Sequence, residues 1–231
     1  MKLNKPYLFI DLNDNKIIIF IVSFNEKKNF KVLKKIILKS TGIKNGRVID
    51  IESVSQLLKK TINNTEDDIN YFFSSVVVVI NPNKINCLNV SGYKKLNGSQ
   101  VSSEDIVYIL NDIKKIILDS EDNYSLVHLF NSNFSLDSDN LENLPIGLFG
   151  EFYNQNMTFF LVNKNILNNI KSVFRNCGLN VKKIILKPFA EGVNLLSNNY
   201  LGRNFAILKI EKNRINISLF KNKSFVFTED F

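Results

Sequence analysis

The sequence predicts an α/β fold: a layered unit of strands and helices, interrupted by a small α+β insertion and followed by the opening of another sheet. Three observations carry this. The chain opens β-β-β-α-β, breaks off, and resumes with a helix and a strand. The segment between reads strand, helix, strand, strand, which is α+β order. Its end repeats the three-strand pattern of its beginning.

The elements follow from hydrophobic period and turn chemistry. Tyr7 to Leu12, Lys16 to Ser23 and Phe30 to Leu38 read as a meander, turning at Asn13-Asp14-Asn15 and again at Asn25 to Lys28. Gly42 to Gly46 reads as a loop. Asp50 is suited to cap a helix bearing Ile51, Val54, Leu57, Leu58 and Ile62, with Asn63 to Asp68 as the polar stretch beyond it. Ser75 to Ile80 is a fully apolar strand. In the insertion, Lys84 to Val90 is strand-like, with Ser91-Gly92 and Asn97-Gly98-Ser99 as turns. Ser102 or Ser103 caps a helix with Ile106, Ile109, Leu110, Ile113 and Ile117 on one face. Ser125 to Phe134 and Met157 to Val162 are strands around a polar loop, Ser135 to Asn143, and a Pro145-Ile146-Gly147 turn. The stripe Ile166, Leu167, Ile170, Val173, Phe174 and Cys177 is a helix ended by Gly178. Val181 to Leu186 is a strand, and Pro188 opens a short helix to about Leu196. Asn204 to Ile210, Ile215 to Phe220 and Ser224 to Thr228 form the second meander. A meander cannot bury its inner face unaided, so this last part is expected to be incomplete. The expected organisation is residues 1–81 and 163–196 as the first subdomain, 82–162 as the insertion, and 197–231 as the start of a second subdomain.

Composition narrows the function classes. The chain has 231 residues with 45% hydrophobic and 23% charged, which is globular composition. Its net charge of +8 comes from scattered lysine pairs, not from a basic cluster interleaved with aromatics, so no nucleic-acid partner is expected. Cys87 and Cys177 have no metal-ligand neighbours at useful spacing and read as buried free thiols. His128, the single histidine, lies in an apolar strand and reads as structural. Glu66-Asp67-Asp68 and Asp137, Asp139 and Glu142 read as solvated loop acids. Residues 1–6 do not have the form of a signal peptide, and the longest apolar runs suit buried strands, so a cytoplasmic location is expected.

Several segments, in order, resemble one family. Gly42-Ile43-Lys44-Asn45-Gly46-Arg47-Val48-Ile49-Asp50-Ile51-Glu52 resembles a glycine loop running into a first helix. Val101 to Ile106 resembles the helix start of an inserted domain, and Pro145 to Gly150 its proline-glycine turn. Gly178 to Val181 and Pro188-Phe189-Ala190 resemble the crossing to a second half. With two meanders each opening an α/β unit, these motifs resemble the N-terminal half of the FtsA cell-division proteins. The resemblance implies an actin-like (ribonuclease H-like) half carrying an inserted SHS2-like α+β domain. It also implies a division assembly function without stand-alone enzymatic activity: joining FtsZ filaments to the membrane and recruiting later division proteins. FtsZ, other division proteins and self-association through the insertion, with edges such as Lys84 to Val90, are the implied partners. The FtsZ-gripping part and the membrane-binding amphipathic helix of that family belong to its second half, so this chain is expected to carry neither. The inner face of the cell membrane at the division site is the implied location of the full-length family. A PilM-like pilus-assembly scaffold, or a degenerate actin-like or sugar-kinase-like ATP-binding enzyme fragment, is the alternative.

By the same resemblance ATP with magnesium is the implied cofactor, and the first phosphate loop falls on Asp11, Asn13, Asp14, Asn15 and Lys16. Asp11 and Lys16 match the family pattern. Asn13, Asp14 and Asn15 replace its glycine and hydroxyls, and Asp14 adds a repulsive charge near a phosphate. The second loop, Lys209-Ile210-Glu211-Lys212-Asn213-Arg214, has no glycine and reads as a charged hairpin turn.

Overall fold

The computed structural model describes residues 5–26, 29–197, 202–211 and 214–231. The chain packs as two compact units. One comprises Met1–Asn83 and Lys164–Lys187, the other Lys84–Asn163 and Pro188–Phe231. Residues 188–196, expected with the first subdomain, fall in the same unit as the insertion, as do the described residues of 197–231.

In the first unit, β1 (Pro6–Leu12), β2 (Lys16–Phe24) and β3 (Phe30–Lys39) form the meander. The hairpin β4 (Ile43–Lys44) and β5 (Arg47–Val48) leads to α1 (Ile51–Ile69) and β6 (Ser75–Ile80). After the insertion come α3 (Lys164–Asn176) and β11 (Asn180–Leu186). The five-stranded sheet has the order β11-β6-β1-β2-β3. β6 runs parallel to both β1 and β11, while β2 is antiparallel to β1 and β3. Period-2 alternation puts Leu8, Ile10, Leu12, Ile17, Ile19, Ile21, Val76, Val78 and Ile80 in the core. The buried stripes of α1 (Val54, Leu58, Ile62) and α3 (Ile166, Ile170, Val173, Phe174) complete it. Asp50 caps α1 by accepting from Ser53 N at 3.0 Å. Gly178, at φ 76°, ends α3 in a Schellman turn, with Gly178 N donating to Arg175 O and Leu179 N to Phe174 O.

Two expectations here are corrected. Residues 63–68 are helix, not loop: Thr65 and Glu66 lie on the buried face of α1, and the Glu66 carboxylate accepts from Phe73 N at 2.7 Å. The helix ends only at Asn70, in the left-handed region at φ 51°. The acidic triplet is therefore the last turn of a helix. The Gly42–Gly46 loop contains a hairpin, its two-residue turn made by Asn45 and Gly46 at φ 53° and 66°. A side chain at Gly46 would begin 2.0 Å from the Asn81 carbonyl oxygen, so only glycine fits.

In the second unit, β7 (Asn86–Lys95), β8 (Tyr124–Leu136), β9 (Asp139–Leu141) and β10 (Phe152–Asn163) form an antiparallel sheet of order β7-β10-β8-β9. The helix α2 (Ser103–Ser120) covers one face, where Ile109, Ile113 and Ile117 pack with Tyr153, Met157, Phe159 and Leu161. Ser102 and Asp105 form a reciprocal capping box at its start. The helix α4 (Lys187–Ser197) and the meander β12 (Phe205–Glu211), β13 (Arg214–Lys221) and β14 (Ser224–Asp230) complete the unit. On the other face of β10, Phe160 stacks on Phe225 of β14, ring centroids 4.2 Å apart. The last meander thus buries its inner face on the insertion's sheet.

That arrangement explains three more corrections. β10 starts at Phe152, not Met157, because its polar half is also paired: buried Gln155 accepts from the Tyr153 hydroxyl and donates to Asn131. Ser91-Gly92 is strand, not turn. The bare backbone of Gly92 admits Ile109 and Ile113, which a side chain would meet at 2.4 and 2.3 Å. The polar loop 135–143 contains β9, reached by a tight turn at Asp137 and Ser138, both at positive φ.

Candidate functional site

The first loop leaves β1 at its C-terminal end, beside the C-terminal ends of the parallel strands β6 and β11. In open α/β sheets that edge is where ligands are held. Lys187, the first residue after β11, reaches into the loop. Its ammonium donates to Asp11 Oδ2 at 3.0 Å and to Asn13 Oδ1 at 2.8 Å, and both Lys187 and Asp11 are largely buried. Asp11 Oδ1 and Asn13 Nδ2 are buried without a hydrogen-bond partner. Asp14 turns the other way. Its two carboxylate oxygens accept from the backbone N–H groups of Asn45 and Gly46, at 2.6 and 2.7 Å. The Asn15 carbonyl accepts from Ser40 N. Lys16 is exposed at the start of β2, opposite Lys39.

Of the five residues named from the sequence, the structure brings Asp11 and Asn13 together around one cation. Asp14 goes to the β4–β5 turn, and Asn15 and Lys16 do not converge with them. Sequence reasoning missed Lys187 and the Asn45–Gly46 donors. A signal for Lys187 was available: a lysine between the end of a parallel strand and Pro188.

This chemistry tests the implied magnesium nucleotide, and the residues do not fit it. The carboxylate that would meet the metal already holds an ammonium. The pair of N–H groups suited to an anion holds Asp14. At the second loop, Lys209 is ion-paired with Glu191 (3.1 Å) and Glu211 (3.5 Å). Burial works against the Lys209 charge, but the hydrogen bond and charge of Glu191, with those of Glu211, outweigh it and hold the pKa above the usual lysine value. Arg214 is fixed bidentately on Asp230, with Nε to Oδ1 at 2.7 Å. Lys212 and Asn213 lie outside the described residues.

The other candidates have packing or pairing partners within the chain. His128 is buried among Phe130 and Phe189. Burial pushes the thiols of Cys87 and Cys177 up to about 11, which keeps them protonated. Asp137 accepts from Glu151 N and Phe152 N, and Glu142 pairs with Arg203. No group of three or more metal-ligating side chains occurs among the described residues. No helix among them is long and apolar enough to cross a membrane.

No family model matches the chain. Curated relatives do. FtsA of Buchnera aphidicola subsp. Baizongia pistaciae is 23% identical over 184 residues, covering 80% of this chain and 43% of that protein. FtsA of Escherichia coli K12 is 22% identical over 181 residues, covering 78% of this chain and 43% of its own length. FtsA of Pseudomonas aeruginosa is 22% identical over 216 residues, 94% of this chain and 51% of that one. The chain therefore spans about half the length of these relatives. Among solved structures, a chain of a PilM–PilN type IV pilus biogenesis complex superposes with a TM-score of 0.65 at 11% identity, covering 97% of this chain and 61% of that one. The ethanolamine utilization protein EutJ from Carboxydothermus hydrogenoformans reaches 0.51 at 10% identity, covering 98% and 52%. The resemblance read from the motifs is borne out: the chain is FtsA-like in sequence along most of its length and actin-like in fold.

Proposed function

We propose that the chain acts in bacterial cell division as an FtsA-like assembly module, binding other proteins rather than turning over a substrate. The observation that carries this reading is the sequence match to FtsA proteins over 78% to 94% of the chain. The first subdomain, the inserted SHS2-like domain and the opening of a second subdomain are the proposed plan. The proposed finer roles are self-association and recruitment of division proteins through the insertion, as part of a link from FtsZ filaments to the inner face of the membrane. The edge strand β7 supports the first of these, since among the described residues it has a sheet neighbour only on its β10 side. The non-enzymatic reading is supported by the partners that Asp11, Asp14, Lys209 and Arg214 of the two loops already have within the chain.

A fluorescent fusion of the full chain in E. coli tests the reading. A band at the division site that depends on the host's FtsZ or FtsA is expected. A uniform cytoplasmic signal at native expression would sink it. The PilM structural likeness favours a pilus scaffold as the second reading. In that case the fusion would ignore the division site, and purified chain would bind a PilN protein.

A further inference from the structure

We infer that the β1–β2 loop is closed from within: Asp14 serves as its anion and Lys187 as its cation, so the unit formed by residues 1–83 and 164–187 folds without a nucleotide or metal.

Two independent sets of contacts carry this. The first is a backbone anion nest. Asn45 and Gly46, consecutive and both at positive φ, aim their N–H groups at one place, an arrangement that favours a negative group. The Asp14 carboxylate sits there, one oxygen on each donor. The nest cannot swing away, because Gly46 lies against the Asn81–Pro82 backbone and Ile43 and Val48 are buried on either side of the turn. The second set is the cation. Lys187 lies at the C-terminal end of β11, where its ammonium meets Asp11 and Asn13 together. A phosphate brought to the Asn45 and Gly46 N–H groups would have to displace the tethered Asp14, and a divalent cation on Asp11 Oδ2 would have to displace Lys187. Both replacements run against a partner held at very high effective concentration by the chain itself. The residue that made the loop look hostile to phosphate, Asp14, is thus its structural fastener.

Thermal melting of the whole chain tests the inference. Wild type should melt at the same temperature with magnesium-ATP as with magnesium chloride alone. Asp14→Ala should melt several degrees lower, and inorganic phosphate, against chloride at equal ionic strength, should recover part of that loss while leaving wild type unchanged. Asp14→Asn, which keeps the shape and one acceptor, should fall between, and it serves if the alanine variant does not fold. Lys187→Met should also melt lower, and adding Asp11→Asn should restore part of the loss by removing the stranded carboxylate. Stabilisation of wild type by magnesium-ATP would overturn the inference. So would equal responses of wild type and the Asp14 variants to phosphate.

Discussion

The two meanders, β1–β3 and β12–β14, are built on one local plan and completed by different means. The first is extended by the parallel strands β6 and β11, and its buried face is aliphatic: Leu8, Ile10 and Leu12 opposite Ile21, Ile19 and Ile17. The second stays three-stranded. Its inner face is aromatic and polar together. Phe205, Phe220 and Phe225 stack in series, at 4.6 and 5.0 Å between neighbouring rings. Beside them Asn216, Ser218 and Thr228 are buried and hydrogen-bonded to one another, and Arg214 is locked on Asp230. Branched aliphatics suit a sheet covered by helices, where the fit comes from interdigitated methyl groups. Stacked rings suit a sheet laid on another sheet, where flat faces meet. The same local pattern therefore leads to cores with different sensitivities.

The largest test of that contrast deletes one core residue from each. Phe225→Ala should cost about 3–5 kcal/mol and Ile10→Ala about 2–5 kcal/mol. Hydrogen exchange should show the loss of protection confined to the unit that carries the change. Uniform loss in both variants would mean that the cores unfold as one. A smaller effect concerns the fit of α4 on the second meander. A side chain added at Gly192 would begin 1.8 Å from the Phe220 ring. Gly192→Ala should therefore cost about 1–3 kcal/mol by overpacking, despite alanine's better helix propensity, and trimming Phe220 to Leu in the same chain should relieve part of it. The smallest effect is titration. Lys209 has its pKa raised above 10.5 in the fold, so its contribution is fully present below pH 10.5 and is lost as the pH climbs through the folded value. About a third of the side chain is exposed, so screening keeps this below about 1 kcal/mol. Denaturant titrations of wild type and Lys209→Met should differ below that pH and converge above it. A pH-independent difference would assign Lys209 to packing alone.

The difference between the meanders also sets how far each could be read from sequence. The first announces its partners: α1 and α3 carry clean apolar stripes at helical spacing, and β6 is apolar throughout, as a strand covered on both faces should be. The second reads as unfinished because its cover lies far away in the chain, on β10. Phe160 there is indistinguishable from its neighbours Phe159 and Leu161 until the sheet's two faces are assigned. The same cause shortened β10 to its apolar half and made Ser91-Gly92 look like a turn. A glycine in a strand is legible only once Ile109 and Ile113 are seen above it. At the candidate site, Asp11 and Asn13 were legible from the loop itself, whereas Lys187 lies 174 residues from Asn13.

By itself the sequence determined the elements whose cause is local: helix stripes, the Asp50 and Ser102 caps, the Gly178 stop, the hairpin spacings, and the ordered motifs that place the chain beside FtsA. These rest on backbone preferences and on periods of two and 3.6, which a dozen consecutive residues suffice to state. Only the tertiary structure decided which face covers the last meander, where Asp14 spends its charge, and which lysine answers Asp11. Those outcomes depend on which distant groups arrive at one point, and a buried charge is given its role by the partner it meets rather than by its neighbours in the chain.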